Sequence, residues 1–221
     1  MTRLSLNVPL AAEIAELLLN IQAVKLDLEN PFTWSSGWRS PIYCDNRLTL
    51  GYPDVRDRIK KSLAARIQKE FNSAEAIAGV ATAGIPHAAL VADHLNLPFL
   101  YVRSKPKGHG LENLIEGRLV KSQKVVVIED LISTAGSSLR AIEALRDAGY
   151  EILGLAAIFS YGFPLAQDQL AQKQVKWFSL SDYNSLIDFA AQTGIIEPAQ
   201  VETLQAWRRE PQNWKQASTT P

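Results

Sequence analysis

From residue 76 to residue 178 the chain repeats one rhythm: an apolar run, a helical stretch, another apolar run. Residues 76–80, 97–102, 125–128, 152–159 and 175–178 read as strands. Residues 85–95, 137–148 and 165–172 read as the helices between them. Runs that are apolar on both faces need cover on both faces. Strands alternating with helices therefore predict an α/β fold, a parallel sheet flanked by helices. Upstream, Leu10, Ile14, Leu17, Leu18 and Ile21 have helical spacing over 9–24, and Pro9 suits a first helical turn. A second helix is expected over 53–71, with short extended pieces at 24–47 broken by Asn30-Pro31, Ser36-Gly37 and Ser40-Pro41. A polar loop is expected over 103–118, and two more helices, 182–191 and 198–209, precede a polar tail.

Charge and cysteine content narrow the function. Lys+Arg and Asp+Glu both number 23, for a formal net charge of zero. No bulk attraction to nucleic acid or an anionic membrane is expected, so any cationic chemistry must be local. Cys44 is the only cysteine, which excludes an internal disulfide and a cysteine-based zinc site. No apolar run approaches the ~20 residues of a membrane helix. The first nine residues hold one Arg and no long apolar run, so no secretory leader is read there. A soluble cytoplasmic protein is expected.

Residues 125–138, VVVIEDLISTAGSS, carry the most chemistry. A buried strand delivers Glu129 and Asp130 to its carboxyl end, where open α/β sheets bind ligands. Two apolar residues later, Ser133, Thr134, Ala135, Gly136 and Ser137 open a helix. Small residues let backbone N–H groups and hydroxyls close around an anion at a helix N-terminus, where the dipole favours negative charge. Carboxylates beside a phosphate cradle would repel the phosphate, so they make sense gripping something else on the same ligand, such as adjacent sugar hydroxyls. Taken alone, the loop could be a serine-rich cap after an ordinary strand. There is no Walker loop and no GxGxxG after the first strand.

This string resembles the phosphoribosyl-pyrophosphate (PRPP) motif of type I phosphoribosyltransferases. The resemblance implies that Glu129 and Asp130 hold the ribose 2- and 3-hydroxyls and that residues 133–137 hold the 5-phosphate. Ala135 stands where many members have Gly. Residues 79–86, GVATAGIP, form a second strand end passing into a helix through small residues. They resemble the family's pyrophosphate loop, with Ala83 and Gly84 at the gripping positions and Ala83 where some members carry Lys. His87 and His94, on the helix that follows, are expected to be structural.

Residues 101–110, YVRSKPKGHG, gather Arg103, Lys105, Lys107 and His109 without an acid among them. Pro106, Gly108 and Gly110 argue against helix or strand. An isolated cationic loop in a neutral chain suits a lid over a polyanion, although charged runs are commonly just solvated surface. The loop resembles the mobile catalytic loop of orotate phosphoribosyltransferases, matching at Arg103, Lys107, His109 and Gly110. Ser104 and Lys105 depart from the usual Lys and Glu. The resemblance implies a homodimer in which each loop serves the neighbouring subunit.

Residues 32–47, FTWSSGWRSPIYCDNR, interleave aromatics with small polar residues, a composition suited to a planar heterocycle. The string closely resembles the N-terminal signature of bacterial orotate phosphoribosyltransferases, a family of which the chain is identified as a member. Ser35 replaces a Lys found in some members, and no Arg stands near Tyr161, where others place one. The resemblance implies orotate contacts from Tyr43, Cys44, Arg39, Ser133 and Tyr161, with Arg47 the other cation of the segment. It implies a type I phosphoribosyltransferase-like sheet with a small N-terminal hood. The expected division is 1–52 for helix and hood, 53–195 for the PRPP-binding core and 196–221 for a C-terminal helix and tail.

The implied reaction moves ribose 5-phosphate from PRPP to N1 of orotate. Arg103, Lys107 and His109 would serve the leaving pyrophosphate, and Mg²⁺ would be held through PRPP and water rather than by a protein cage. Two alternatives are a phosphoribosyltransferase for another base and a PRPP-sensing regulator. The first should lack the 32–47 string, and the second would need a nucleic-acid-binding element.

Overall fold

The structure, a computed structural model, describes residues 2–34, 36–105, 114–117, 120 and 122–214. Its centre is a six-stranded sheet in the order β10-β9-β8-β5-β6-β7. The strands are β5 (Ala76–Val80), β6 (Phe99–Val102), β7 (Ile115–Glu116), β8 (Lys124–Ile132), β9 (Glu151–Ser160) and β10 (Trp177–Asp182). All pairings are parallel except β6 with β7. Alternate residues of one strand serve opposite faces, as period two requires. Ile77, Val126 and Ile128 enter one core with helices α1 (Val8–Asn20), α2 (Pro53–Glu70), α3 (Gly84–Leu95), α6 (Tyr183–Gln192) and α7 (Pro198–Arg209). Ala76, Ala78, Val125 and Val127 enter the other core with α4 (Gly136–Asp147) and α5 (Pro164–Gln172).

The N-terminal segment follows the same logic in small pieces. In α1 the Asn7 side chain accepts from Leu10 N, and Ala11, Ile14, Ala15 and Leu18 form its buried stripe. After a turn with Gln22 at φ 57°, β1 (Val24–Leu26) pairs antiparallel with β4 (Ile42–Cys44). Between them β2 (Phe32–Thr33) pairs with β3 (Arg39–Ser40), and a 3-10 turn, Asn46–Gly51, leads into α2.

Five elements differ from the sequence reading. The first helix stops at Asn20 instead of running to residue 24, because Val24 is claimed by strand pairing with Cys44. Strand β6 starts at Phe99, since Asn96 in the left-handed region closes α3 and Leu97 N donates back to Ala92 O. Strands β8 and β10 run longer than expected because β9 offers partners along their length, Leu131 facing Phe159 and Asp182 facing Ser160. The expected 103–118 loop contains β7, whose Glu116 pairs with Tyr101. Among the described residues no helix is long and apolar enough to cross a membrane.

Candidate active site

Strand order reverses between β5 and β8: β5 leads to β6 on one side, and β8 to β9 on the other. A crevice outside the carboxyl ends at such a reversal is where open α/β sheets take ligands. Both small-residue loops lie there. Residues 81–83 join β5 to α3, and residues 133–135 join β8 to α4. They approach so closely that a Cβ on Gly84 would stand 2.6 Å from the Ile128 carbonyl oxygen and 3.3 Å from Glu129 Cα. Only glycine fits at that position. The Ala81–Thr82 peptide is cis.

The acid pair sits inside β8 rather than beyond its end. Glu129 is buried, and its Oε2 accepts from Ser137 Oγ at 3.0 Å and Ser138 Oγ at 3.2 Å. These bonds stitch the first turn of α4 to the strand. Burial, then the neighbouring Asp130 carboxylate, pushes the Glu129 carboxyl well up, against the two serine bonds that lower it. Burial also raises Asp130, although that residue is less enclosed. Ala135 turns the loop at φ 65°, ψ 6°, a left-handed conformation that a side chain resists. The N-terminus of the 12-residue α4 then faces the crevice with no acid in its first turn.

Beside this loop lies a cavity of about 500 Å³. Trp34, Trp38, Tyr43 and Cys44 of the N-terminal segment form one wall; Leu131, Ser133, Thr134 and Tyr161 form the other. Asn46 fastens the walls together, its Nδ2 donating to the Asp130 carbonyl at 2.8 Å and its Oδ1 accepting from Cys44 Sγ at 3.5 Å. Burial, then Asp130 and Asp45, raises the Cys44 thiol well above its usual range, so it stays protonated and unreactive. A larger groove of about 750 Å³ lies between α1 and α2, but none of the crevice residues lines it.

The structure thus gathers Tyr43, Cys44, Ser133 and Tyr161 around one cavity, next to Glu129, Asp130, Thr134, Ala135, Gly136 and Ser137. Arg39 does not line the cavity; its Nε is buried without a hydrogen-bond partner. Arg47 is exposed and paired with Asp45 at 2.6 Å. Arg103 pairs with Glu116 at 3.5 Å, and Lys105 is exposed. Lys107 and His109 lie outside the described residues. His87 is buried, and burial lowers its pKa to about 4 against a weaker opposing bond to the Asn46 backbone, leaving it neutral near pH 7. Among the described residues no group of three His, Cys, Asp or Glu side chains could hold a metal. Sequence reasoning missed Asn46 as the fastener, although it stands in the quoted string, and Leu131 as a wall, signalled only as an apolar residue between acids and loop.

This crevice, with its acid pair inside the strand and its small-residue loop at a helix N-terminus, belongs to a phosphoribosyltransferase domain, as the family match over residues 53–195 shows. Residues 53–195 match the family model described as "Phosphoribosyl transferase domain". Over 201 residues the chain is 55% identical to the orotate phosphoribosyltransferase of Porphyromonas gingivalis, covering 91% of this chain and 96% of that one. Over 202 residues it is 54% identical to the orotate phosphoribosyltransferase of Listeria monocytogenes, covering 91% and 97%. The crystal structure of orotate phosphoribosyltransferase from Aeropyrum pernix superposes with a TM-score of 0.72 at 32% identity, over 83% of this chain and 99% of that one. The chain belongs to the orotate phosphoribosyltransferase family.

Proposed function

We infer that the chain transfers the ribose 5-phosphate group of PRPP to N1 of orotate, giving orotidine 5′-monophosphate and pyrophosphate in pyrimidine biosynthesis in the cytoplasm. The observation that carries this reading is the shared wall at Ser133 and Thr134. One loop borders both the helix N-terminus that suits a phosphate and the aromatic cavity that suits a flat base.

The resemblance to the family supplies the roles, and the geometry is compatible with them. Residues 133–137 hold the 5-phosphate with backbone N–H groups and hydroxyls at the start of α4. Asp130 and Glu129 take the ribose 2- and 3-hydroxyls, with the Glu129 carboxyl already aimed by Ser137 and Ser138. Sugar O–H donors relieve a carboxyl pair that burial otherwise penalises. Backbone amides at Ala83 and Gly84 face the pyrophosphate. Tyr43 and Tyr161 flank orotate, and Cys44 and Ser133 border its edge. Asp45 engages Arg47 and Arg39 stands outside the cavity wall, so neither cation of this segment is assigned to the orotate carboxylate.

Bond cleavage at C1 leaves an oxocarbenium-like ribosyl group, and no covalent protein nucleophile is needed. Arg103, Lys105, Lys107 and His109 form a lid over the departing pyrophosphate, with His109 able to donate a proton or hydrogen bond. Closure keeps water from the ribosyl cation. We place each lid over the neighbouring subunit's site in a homodimer. Mg²⁺ would be held through PRPP oxygens and water rather than by a protein cage, as is usual for this ion with phosphates. The ion supplies positive charge to the leaving group.

The test is loss of orotate absorbance with PRPP and Mg²⁺, with guanine, hypoxanthine and uracil run in parallel. Loss of orotate alone is expected. Consumption of another base would favour a different transferase, and PRPP binding without turnover would favour a sensor. In the same assay, Lys107→Ala should lower turnover more than ~10-fold, about 1.4 kcal/mol of barrier.

A further inference from the structure

Helix α7 lies beyond the stretch matched by the family model, yet it reaches the base cavity from behind. Trp207 is fully buried, with ring centroids 5.6 Å from Trp34, 5.9 Å from Tyr161, 5.6 Å from Phe163 and 5.5 Å from Tyr183. Its Nε1 donates to the Arg39 carbonyl at 3.1 Å, which ties α7 to the ribbon carrying Trp34. The next residue grips the turn that follows β9. Arg208 Nε donates to the Tyr161 carbonyl at 3.1 Å and Nη2 to the Gly162 carbonyl at 2.9 Å, while Nη1 donates to Asn184 Oδ1 at 2.8 Å.

The turn that Arg208 holds is an unusual one. Gly162 has φ +63°, and a Cβ there would stand 3.0 Å from Arg208 Nη2. Tyr161 N donates to the Ile132 carbonyl at 3.0 Å, so the Tyr161 ring takes its direction from a backbone fixed at both ends, by β8 and by Arg208. That ring lies 4.9 Å from Trp34 and stacks on Phe163 at 5.4 Å and 13°. Trp34 and Tyr161 are cavity walls contributed by segments far apart in sequence.

We propose that Trp207 and Arg208 are positioning residues that hold the packed rings of Trp34 and Tyr161 in place as one side of the cavity, and so determine affinity for the flat base without touching it. The proposal rests on reading the cavity as the orotate site. A guanidinium fork across two adjacent carbonyls fixes a plane, which a single ammonium cannot do. Packing of Trp207 edge-on against both rings supplies the stiffness, and its N–H sets the register.

The experiment measures KM for orotate and KM for PRPP separately in the full-length enzyme. The variants are Arg208→Ala, Arg208→Lys, Trp207→Phe and, acting directly on the cavity, Tyr43→Ala. Arg208→Ala is expected to raise KM for orotate by ~5–20-fold, about 1–2 kcal/mol, and to leave KM for PRPP within twofold. Arg208→Lys should recover only part of that loss. Trp207→Phe keeps an aromatic ring in the core and removes the N–H, so it tests the register even if Arg208→Ala fails to fold; a rise of ~3–5-fold in KM for orotate alone is expected. If Tyr43→Ala raises KM for orotate while Trp207→Phe and Arg208→Ala leave it unchanged, the positioning role is wrong and the cavity reading stands. If Tyr43→Ala leaves it unchanged, the cavity reading falls and takes this proposal with it. Parallel increases in both KM values would mark a general loss of structure and overturn the proposal.

Discussion

The two halves of the crevice are built in opposite ways. The half proposed for phosphate comes from strand ends, where Glu129, Ala135, Gly136 and Ser137 lie within nine residues of chain and a Cβ at Gly84 would press on the Ile128 backbone. The half proposed for the base is assembled from three distant pieces, residues 33–44, 131–134 and 161, with aromatic rings packed behind them. One half gains its shape from small residues with no room to spare. The other gains it from large rings and a helix that arrives from the end of the chain. A polyanion needs a fixed array of N–H groups, whereas a flat base needs two faces at a set distance, and the two constructions match those needs.

That contrast can be broken by substitution. The largest effect should come from the far side of the base half. Trp207→Ala empties a fully buried site among four aromatic rings and should cost about 3–5 kcal/mol in a denaturant titration. A loss below about 1 kcal/mol would mean that the rings close up without it. In the phosphate half, Gly84→Ala forces a methyl against the Ile128 carbonyl, 2.6 Å away, and should cost about 3 kcal/mol, because backbone cannot step aside cheaply.

His87, buried on α3, gives a pH test. Its folded pKa of about 4 lies below the ~6.5 of an unfolded chain. The unfolded state therefore binds more protons below pH 6.5, and folding stability falls as pH drops. Between pH 7 and pH 5 the loss from this group should be about 2 kcal/mol. His87→Gln should lack that component of the pH dependence, measured by thermal unfolding at each pH. The smallest effect should be a gain. Ala135→Gly removes left-handed strain of about 1–2 kcal/mol and adds about 0.5–1 kcal/mol of unfolded-chain entropy, so a net stabilisation of about 0.5 kcal/mol is expected by calorimetry.

The same contrast explains what could be read in advance. The alternating strands and helices carry their period in the sequence, and the acid pair and small-residue loop stand within one string, so the sheet and the loop at the head of α4 were legible. Strand ends were less so: β8 runs through Glu129 and Asp130 to Ile132 because β9 supplies partners there, a fact that lives in another segment. In the base half, Tyr43 and Cys44 were visible in the aromatic string, and Tyr161 and Ser133 followed from resemblance. Arg39 was expected beside them, yet its side chain is not part of the cavity wall. Nothing near Trp207 or Arg208 in sequence announces a base site. Their partners, Arg39 and Tyr161, are 168 and 47 residues away.

The division of labour between the halves is tested most directly by two-substrate kinetics on Asp130→Asn and Tyr43→Ala. Asp130→Asn should raise KM for PRPP at least tenfold and leave KM for orotate within about twofold, and Tyr43→Ala should do the reverse, each tenfold step being about 1.4 kcal/mol. If both variants raised the same KM, or each raised the one assigned to the other half, the crevice would not be divided as described.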